Sequence, residues 1–169
     1  LAYFHTGLDN MLILESLSGG AANSANVGEG STQGLEFLVG TDFGAGSNVG
    51  VPFSISATFT GTEFESATAT QGYLAGATAG KEFPFIPDFQ INVRTGLEFD
   101  KFSTYLNYHY QDEVYANGAN TATLDSYGIL NWSAFYEVND GVTVFSKVTN
   151  LTDEVYAHSV LPDGYRVGA

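Results

Sequence analysis

Apolar and polar residues alternate along most of this chain. From Phe89 to Phe99, one set of positions reads Phe89, Ile91, Val93, Thr95, Leu97 and Phe99, and the other Gln90, Asn92, Arg94, Gly96 and Glu98. Successive side chains of a strand point to opposite sides, so this segment is a strand with one apolar and one polar face. Phe102 to Tyr110 repeats the pattern, and only Asp100-Lys101 lies between the two, which predicts a tight hairpin. Five more segments alternate less cleanly: Leu1 to about Glu15 (interrupted at Gly7-Leu8-Asp9-Asn10), Ser31 to Phe43, Phe53 to Phe64, Leu130 to Val138, and Val142 to Val148. No stretch holds apolar residues at helical spacing, and none approaches the ~18 consecutive apolar residues of a membrane helix. The pattern predicts an all-β chain of about seven long antiparallel strands.

The connections alternate as well. Gly44 to Pro52, Asp100-Lys101 and Asn139-Asp140-Gly141 are short, whereas Glu15 to about Gly30, Ser66 to Pro87 and Asp112 to about Asp125 are long and rich in Ala, Gly, Asn and Thr. Short turns at one end and long loops at the other are the signature of a transmembrane β-barrel. A soluble sandwich also spaces its strands regularly. Three features favour the membrane: long strands, apolar faces free of charge, and aromatics at the ends of those faces (Phe89, Phe99, Phe102, Tyr108, Tyr110, Tyr136). An open sheet leaves two rows of unpaired backbone groups, which hydrocarbon does not tolerate. Seven strands therefore imply either a piece of a larger barrel or, with one more strand, a small eight-stranded one.

Composition narrows the function. Five Lys and Arg face 19 Asp and Glu, a formal charge of −14, which excludes binding to phosphate backbones. The absence of Cys removes disulfides and thiolate metal sites. Leu1-Ala-Tyr-Phe-His lacks the basic start and apolar core of a secretory signal, as expected of an internal or processed segment. No nucleophile–base pairing, phosphate loop or marked carboxylate pair suggests an enzyme, and no cofactor is expected.

Four segments, taken in order, resemble one family. Asn26-Val-Gly-Glu-Gly-Ser-Thr-Gln-Gly-Leu-Glu36 is similar to a Gly-rich lead into a descending strand, and Phe85-Ile-Pro-Asp-Phe-Gln-Ile-Asn-Val-Arg94 to a Pro-x-aromatic run that opens another. Lys147-Val-Thr-Asn-Leu-Thr-Asp-Glu-Val-Tyr156 and Tyr165-Arg-Val-Gly-Ala169 resemble the penultimate strand and last outer loop. The family is that of the TonB-dependent outer-membrane receptors, in particular the ferric-dicitrate and siderophore branch. The resemblance implies that residues 1–169 are the C-terminal part of the barrel domain, lacking the plug domain and the last strand. They would be roughly the fifteenth to twenty-first strands of a barrel of about 22. It further implies outer-membrane lipid around the wall, the protein's own N-terminal plug within it, and the TonB–ExbB–ExbD system as energy source. The cargo would be an iron chelate or another small nutrient: a siderophore, a citrate chelate, cobalamin or a saccharide.

Four residues are candidates for contact with a ligand or the plug. Arg94 and Glu98 share the polar face of one strand, and an isolated cation among acids needs partners. Asn107 and His109 share the polar face of the next, near its outer end. Hydration in a wide lumen is the ordinary reading of each. His109 has no second His or carboxylate pair at metal spacing, His5 and His158 are equally isolated, and no metal site is expected. Asp112-Glu113 and Asp153-Glu154 could meet divalent cations, although loop carboxylates are usually just hydrated. Two other functions stay open: a self-contained small barrel serving adhesion or membrane integrity, and a soluble acidic β-sandwich binding carbohydrate through exposed aromatics.

Overall fold

The computed structural model describes residues 1–16, 22–68, 72–161 and 164–168. Among them, in chain order, are β1 (Ala2–Ser16), β2 (Ala22–Asp42), β3 (Pro52–Ala67), β4 (Phe89–Phe99), β5 (Phe102–Gln111), β6 (Val114–Tyr115), β7 (Thr123–Leu124), β8 (Tyr127–Asn139), β9 (Val142–Val148), β10 (Tyr156–Leu161) and β11 (Gly164–Gly168). A single 3-10 turn, Gly72–Leu74, is the only helical element described. Seven strands form one antiparallel sheet in the order β1-β2-β3-β4-β5-β8-β9. The pairs β6–β7 and β10–β11 are separate hairpins.

All seven strands read from the alternation lie in that sheet, and their faces align across it. Ile55 sits opposite Val93, Val93 opposite Tyr108, and Tyr108 opposite Leu130. One position along, Ser56, Asn92, His109 and Ile129 form the matching row on the other side. Because the side-chain period is two, this register collects the apolar sets of all strands on one face. Leu35, Phe37, Val39, Phe59, Leu97, Phe99, Tyr136 and Val144 stand exposed on that face, which packs against no second sheet. The sandwich alternative is not what the chain builds.

Aromatics mark both ends of the apolar face. At the long-loop end Phe59 meets Phe89 at 4.8 Å between ring centroids, and Phe89 meets Tyr110 at 6.3 Å. At the short-turn end Phe43 meets Phe53 at 5.9 Å and Phe99 meets Phe102 at 5.3 Å. The 11 residues of β4 make ~33 Å of strand at about 3.3 Å per residue. Inclined at about 40–45°, such a strand spans roughly 23–25 Å, close to the ~25 Å apolar band of an outer-membrane barrel.

The buried core lies elsewhere. Of the buried hydrophobic residues, only Ala57 belongs to the body of the sheet. Phe64, Leu74 and Ala77 form one cluster and Val114, Ala116 and Leu124 another, both beyond the outer aromatic row.

Four expectations are corrected or refined. Much of the segment expected as a loop from Glu15 to Gly30 is strand: β1 runs to Ser16 and β2 begins at Ala22, nine residues before the expected start at Ser31. The two strands stay paired to that end, with Leu14 opposite Ser24 and Glu15 opposite Asn23. The interruption at Gly7–Asn10 is a bulge inside β1, with register shifts between Leu8 and Leu12 and a φ of 54° at Asn10. The connections Ser66–Pro87 and Asp112–Asp125 are folded, as described below. The tract after Tyr156, read as loop, is the β10–β11 hairpin. Ala169 and the side chain of His158 lie outside the described residues.

The short turns are made as expected. The Asp42 carboxylate accepts the backbone N–H groups of Gly44 (2.8 Å) and Val51 (2.7 Å), closing the β2–β3 turn. Asp100 takes φ 48° in the two-residue β4–β5 link. In the Asn150–Glu154 turn, the Asn150 side chain accepts from Glu154 N–H (2.9 Å) and donates to its carbonyl (2.8 Å). Asn131 on β8 accepts the Asn150 N–H at 3.0 Å. The Asn-Leu-Thr-Asp-Glu motif is thus a turn held from within and tied to the sheet.

Candidate functional site

The polar face of β3, β4, β5 and β8 carries the four candidates in ordered rows. Nearest the long-loop end, Thr58, Gln90, Gln111 and Tyr127 lie side by side; Ser56, Asn92, His109 and Ile129 follow, and then Ser54, Arg94, Asn107 and Asn131. The two lower rows line a cleft of about 190 Å³. Asn107 and His109 are therefore brought together with Arg94. Glu98 sits two rows below Arg94, by the short turns.

Arg94 and Glu98 do point to the same side, and a third residue joins them. The Arg94 guanidinium carbon lies 4.3 Å from the centroid of the Tyr105 ring. The Tyr105 hydroxyl donates to the Glu98 carboxylate. The glycine opposite Tyr105 makes this geometry feasible, because a Cβ at Gly96 would meet the Tyr105 ring. Glu98 is fixed in turn by its backbone, which exchanges bonds of 2.7 and 2.9 Å with Gly50. A cation stacked on an aromatic face gains about 0.5–1 kcal/mol when exposed. Arg94 has thus found its partner in a ring, with the carboxylate acting through the phenol.

His109 Nδ1 donates a hydrogen bond to the Asn92 side-chain oxygen at 2.8 Å. Its ring lies 6.2 Å from Tyr127, which stacks on Tyr156 at 4.2 Å. Among the described residues no group of three or more His, Asp or Glu side chains is placed to hold a metal ion. Asp112 Oδ1 accepts the Glu113 N–H at 3.0 Å, an ordinary turn contact.

Sequence reasoning passed over Tyr105, Phe135 and Phe145. Phe135 lies 6.3 Å from Tyr105 and 6.3 Å from Phe145, a band of rings across the lower polar face. The signal was present in the alternation: each is an aromatic in the polar phase of its strand. With Arg94, Glu98 and Lys101, the rings of Tyr105 and Phe135 border an open cavity of about 700 Å³.

Residues 1–151 match the family described as TonB dependent receptor-like, beta-barrel. The chain belongs to the TonB-dependent receptor family. No curated relative matches the sequence. Among solved structures, the ferric yersiniabactin uptake receptor FyuA from Yersinia pestis aligns with 98% of this chain at a TM-score of 0.75 and 18% identity. The siderophore receptor PiuA from Acinetobacter baumannii aligns with 96% at 0.69 and 21% identity. The ferric-catecholate import receptor Fiu from E. coli K12 aligns with 98% at 0.68 and 17% identity. The chain spans 24%, 23% and 22% of those three proteins. At this identity the likeness establishes the fold: a run of antiparallel strands from a receptor barrel. Arg94, Glu98, Asn107 and His109 all lie on the polar face of that run of strands.

Proposed function

We propose that this chain is wall from the C-terminal part of a TonB-energised outer-membrane receptor that imports iron chelates, of the siderophore or ferric-citrate type, or a similar small nutrient. One observation carries the reading: a matched receptor-barrel sheet whose apolar face is bounded by aromatic rows at membrane spacing, with its other face largely polar. The wall stands in outer-membrane lipid as part of a barrel of about 22 strands. A plug domain encoded N-terminal to these residues fills the lumen, and the TonB–ExbB–ExbD system supplies energy through it. The part played here is transport and not catalysis. Arg94 on Tyr105, with Glu98 and the rings of Phe135 and Phe145 beside it, offers the plug a charged and aromatic seat. Asn107 and His109, higher on the wall, line the way from the outer mouth.

The test is growth on scarce iron. The full-length receptor is expressed in a bacterium stripped of its own siderophore receptors, with and without TonB, and supplied with ferric yersiniabactin, a ferric catecholate, ferric dicitrate or ferrichrome. Growth on at least one chelate, lost without TonB, is the expected result. Growth that does not depend on TonB, or none on any chelate, defeats the iron-uptake reading.

A further inference from the structure

The two long connections at the outer end are joined to each other, and the first is also joined to β3. The connection that follows β3 turns back along that strand: Phe64 N–H bonds Lys81 O (2.8 Å), Gly80 N–H bonds Phe64 O (2.9 Å), and Thr62 accepts the Phe83 N–H (2.9 Å). It then meets the connection between β5 and β8. Asn120 brackets Glu82, accepting its N–H at 2.8 Å and donating to its carbonyl at 3.1 Å. Gly118 N–H bonds Tyr73 O (2.7 Å) and Phe85 N–H bonds Tyr115 O (2.8 Å).

Packing follows the same seam. Phe85 from the first connection packs on the Val114–Ala116–Leu124 cluster of the second, and Ala157 of β10 joins it from the far side. Gly118 lies so close to Leu74 and Ala77 that a Cβ would meet them at 2.8 and 2.9 Å. Phe85 itself takes φ 64°, a region that a bulky residue rarely enters. Such a conformation persists only where the surroundings over-determine it, and here they combine Tyr73 of its own connection with Tyr115 and the Val114–Ala116–Leu124 cluster of the other.

From these contacts we infer that residues 72–86 and 113–124 are one cooperative unit, a fixed cap over this part of the outer mouth. It opens as a single body, not as two independent loops. Each connection carries its own small cluster, the two meet at Phe85 and at Gly118, and each supplies half of the hydrogen-bond seam, so the loosening of one weakens what holds the other. The inference holds whatever the receptor carries.

The experiment is hydrogen–deuterium exchange on the full-length receptor in detergent micelles, without ligand. Asn120→Ala removes the bracket on Glu82. Peptides from 72–83 and from 113–124 should then exchange faster together, by about five- to tenfold for the hydrogen bonds lost, with β4 and β5 unchanged. Should Asn120→Ala disturb the barrel itself, Asn117→Ala puts the same question, since that side chain bonds Thr121 within its own connection. Faster exchange in 72–83 on loss of Asn117 supports the unit. Faster exchange confined to 113–124 overturns it.

Discussion

Val93 and Asn92 are neighbours in the chain and occupy opposite surroundings, which makes them a sharp test of the wall's orientation. Val93 lies in the apolar row with Ile55, Tyr108 and Leu130, and Asn92 in the polar row with Ser56 and His109. Val93 is four residues below Phe89, ~13 Å along the strand at about 3.3 Å per residue. With the strand inclined at about 40–45°, that places it roughly 9–10 Å below the outer aromatic row, near the middle of a ~25 Å band. An arginine on the lipid side at that depth costs about 2–4 kcal/mol, or roughly 30-fold to several hundred-fold in the folding equilibrium at about 1.4 kcal/mol per decade. The same residue at Asn92 enters a hydrated lumen and should cost about 0–0.5 kcal/mol, as for an ordinary exposed site. The assay is denaturant unfolding of the full receptor in lipid bilayers, comparing Val93→Arg with Asn92→Arg. Equal losses, or a greater loss for Asn92→Arg, would refute the assignment of the two faces.

Other parts of the structure make independent predictions. Burial, and secondarily the Asp88 carboxylate, raise the pKa of Glu82 above its ordinary 4.5; the folded cap therefore favours protonated Glu82, and its contribution is lost as pH climbs from about 4.5 through the raised value. Glu82→Gln should thus increase exchange protection of residues 72–83 at pH 7.5, and the gain should vanish near pH 4; a gain that persists at low pH would contradict the cause. Asn150→Ala removes both side-chain bonds to Glu154 and should destabilise the turn by about 1–2 kcal/mol, seen as faster proteolysis between Leu151 and Val155; unchanged cleavage would mean the turn holds without them. Tyr105→Phe keeps the ring under Arg94 but removes the hydroxyl that Glu98 accepts, whereas Tyr105→Leu removes both. If the stack positions Arg94 for the plug, chelate-dependent growth should fall for Arg94→Ala and Tyr105→Leu and persist for Tyr105→Phe, and equal growth in all three would argue against that role.

What the sequence disclosed depended on solvent. On the proposed placement each strand between the aromatic rows faces an apolar medium on one side and a hydrated one on the other, and Phe89–Phe99 writes that difference at period two, residue by residue. Above the outer row the difference disappears. The start of β2, Ala22-Asn-Ser-Ala-Asn-Val-Gly-Glu-Gly30, carries no alternation of apolar and polar residues, and a strand paired through its backbone there reads as a loop. The cap was hidden for a related reason: Leu74, Ala77, Phe83 and Phe85 follow no period, since irregular backbone directs their side chains. The partner of Arg94 was hidden by register. Tyr105 faces Gly96 and not Arg94, and only once β4 and β5 are paired does its ring fall diagonally beneath the guanidinium.

These differences also explain where the chain keeps its folded interior. On the proposed placement, a wall one sheet thick has no inside: its apolar face would be matched by lipid and its polar face by water, which accounts for the exposure of Leu35, Phe37 and Val144. Beyond the lipid the same chain meets water on both sides, and apolar side chains there gain only by packing on one another. Phe64 stands at that boundary. It extends β3 above the outer row, turns to the polar side of the sheet, and is almost completely buried under the returning connection. A core above the membrane therefore needs at least two segments to close over it, and the two longest connections of this chain do so, each holding the other in place.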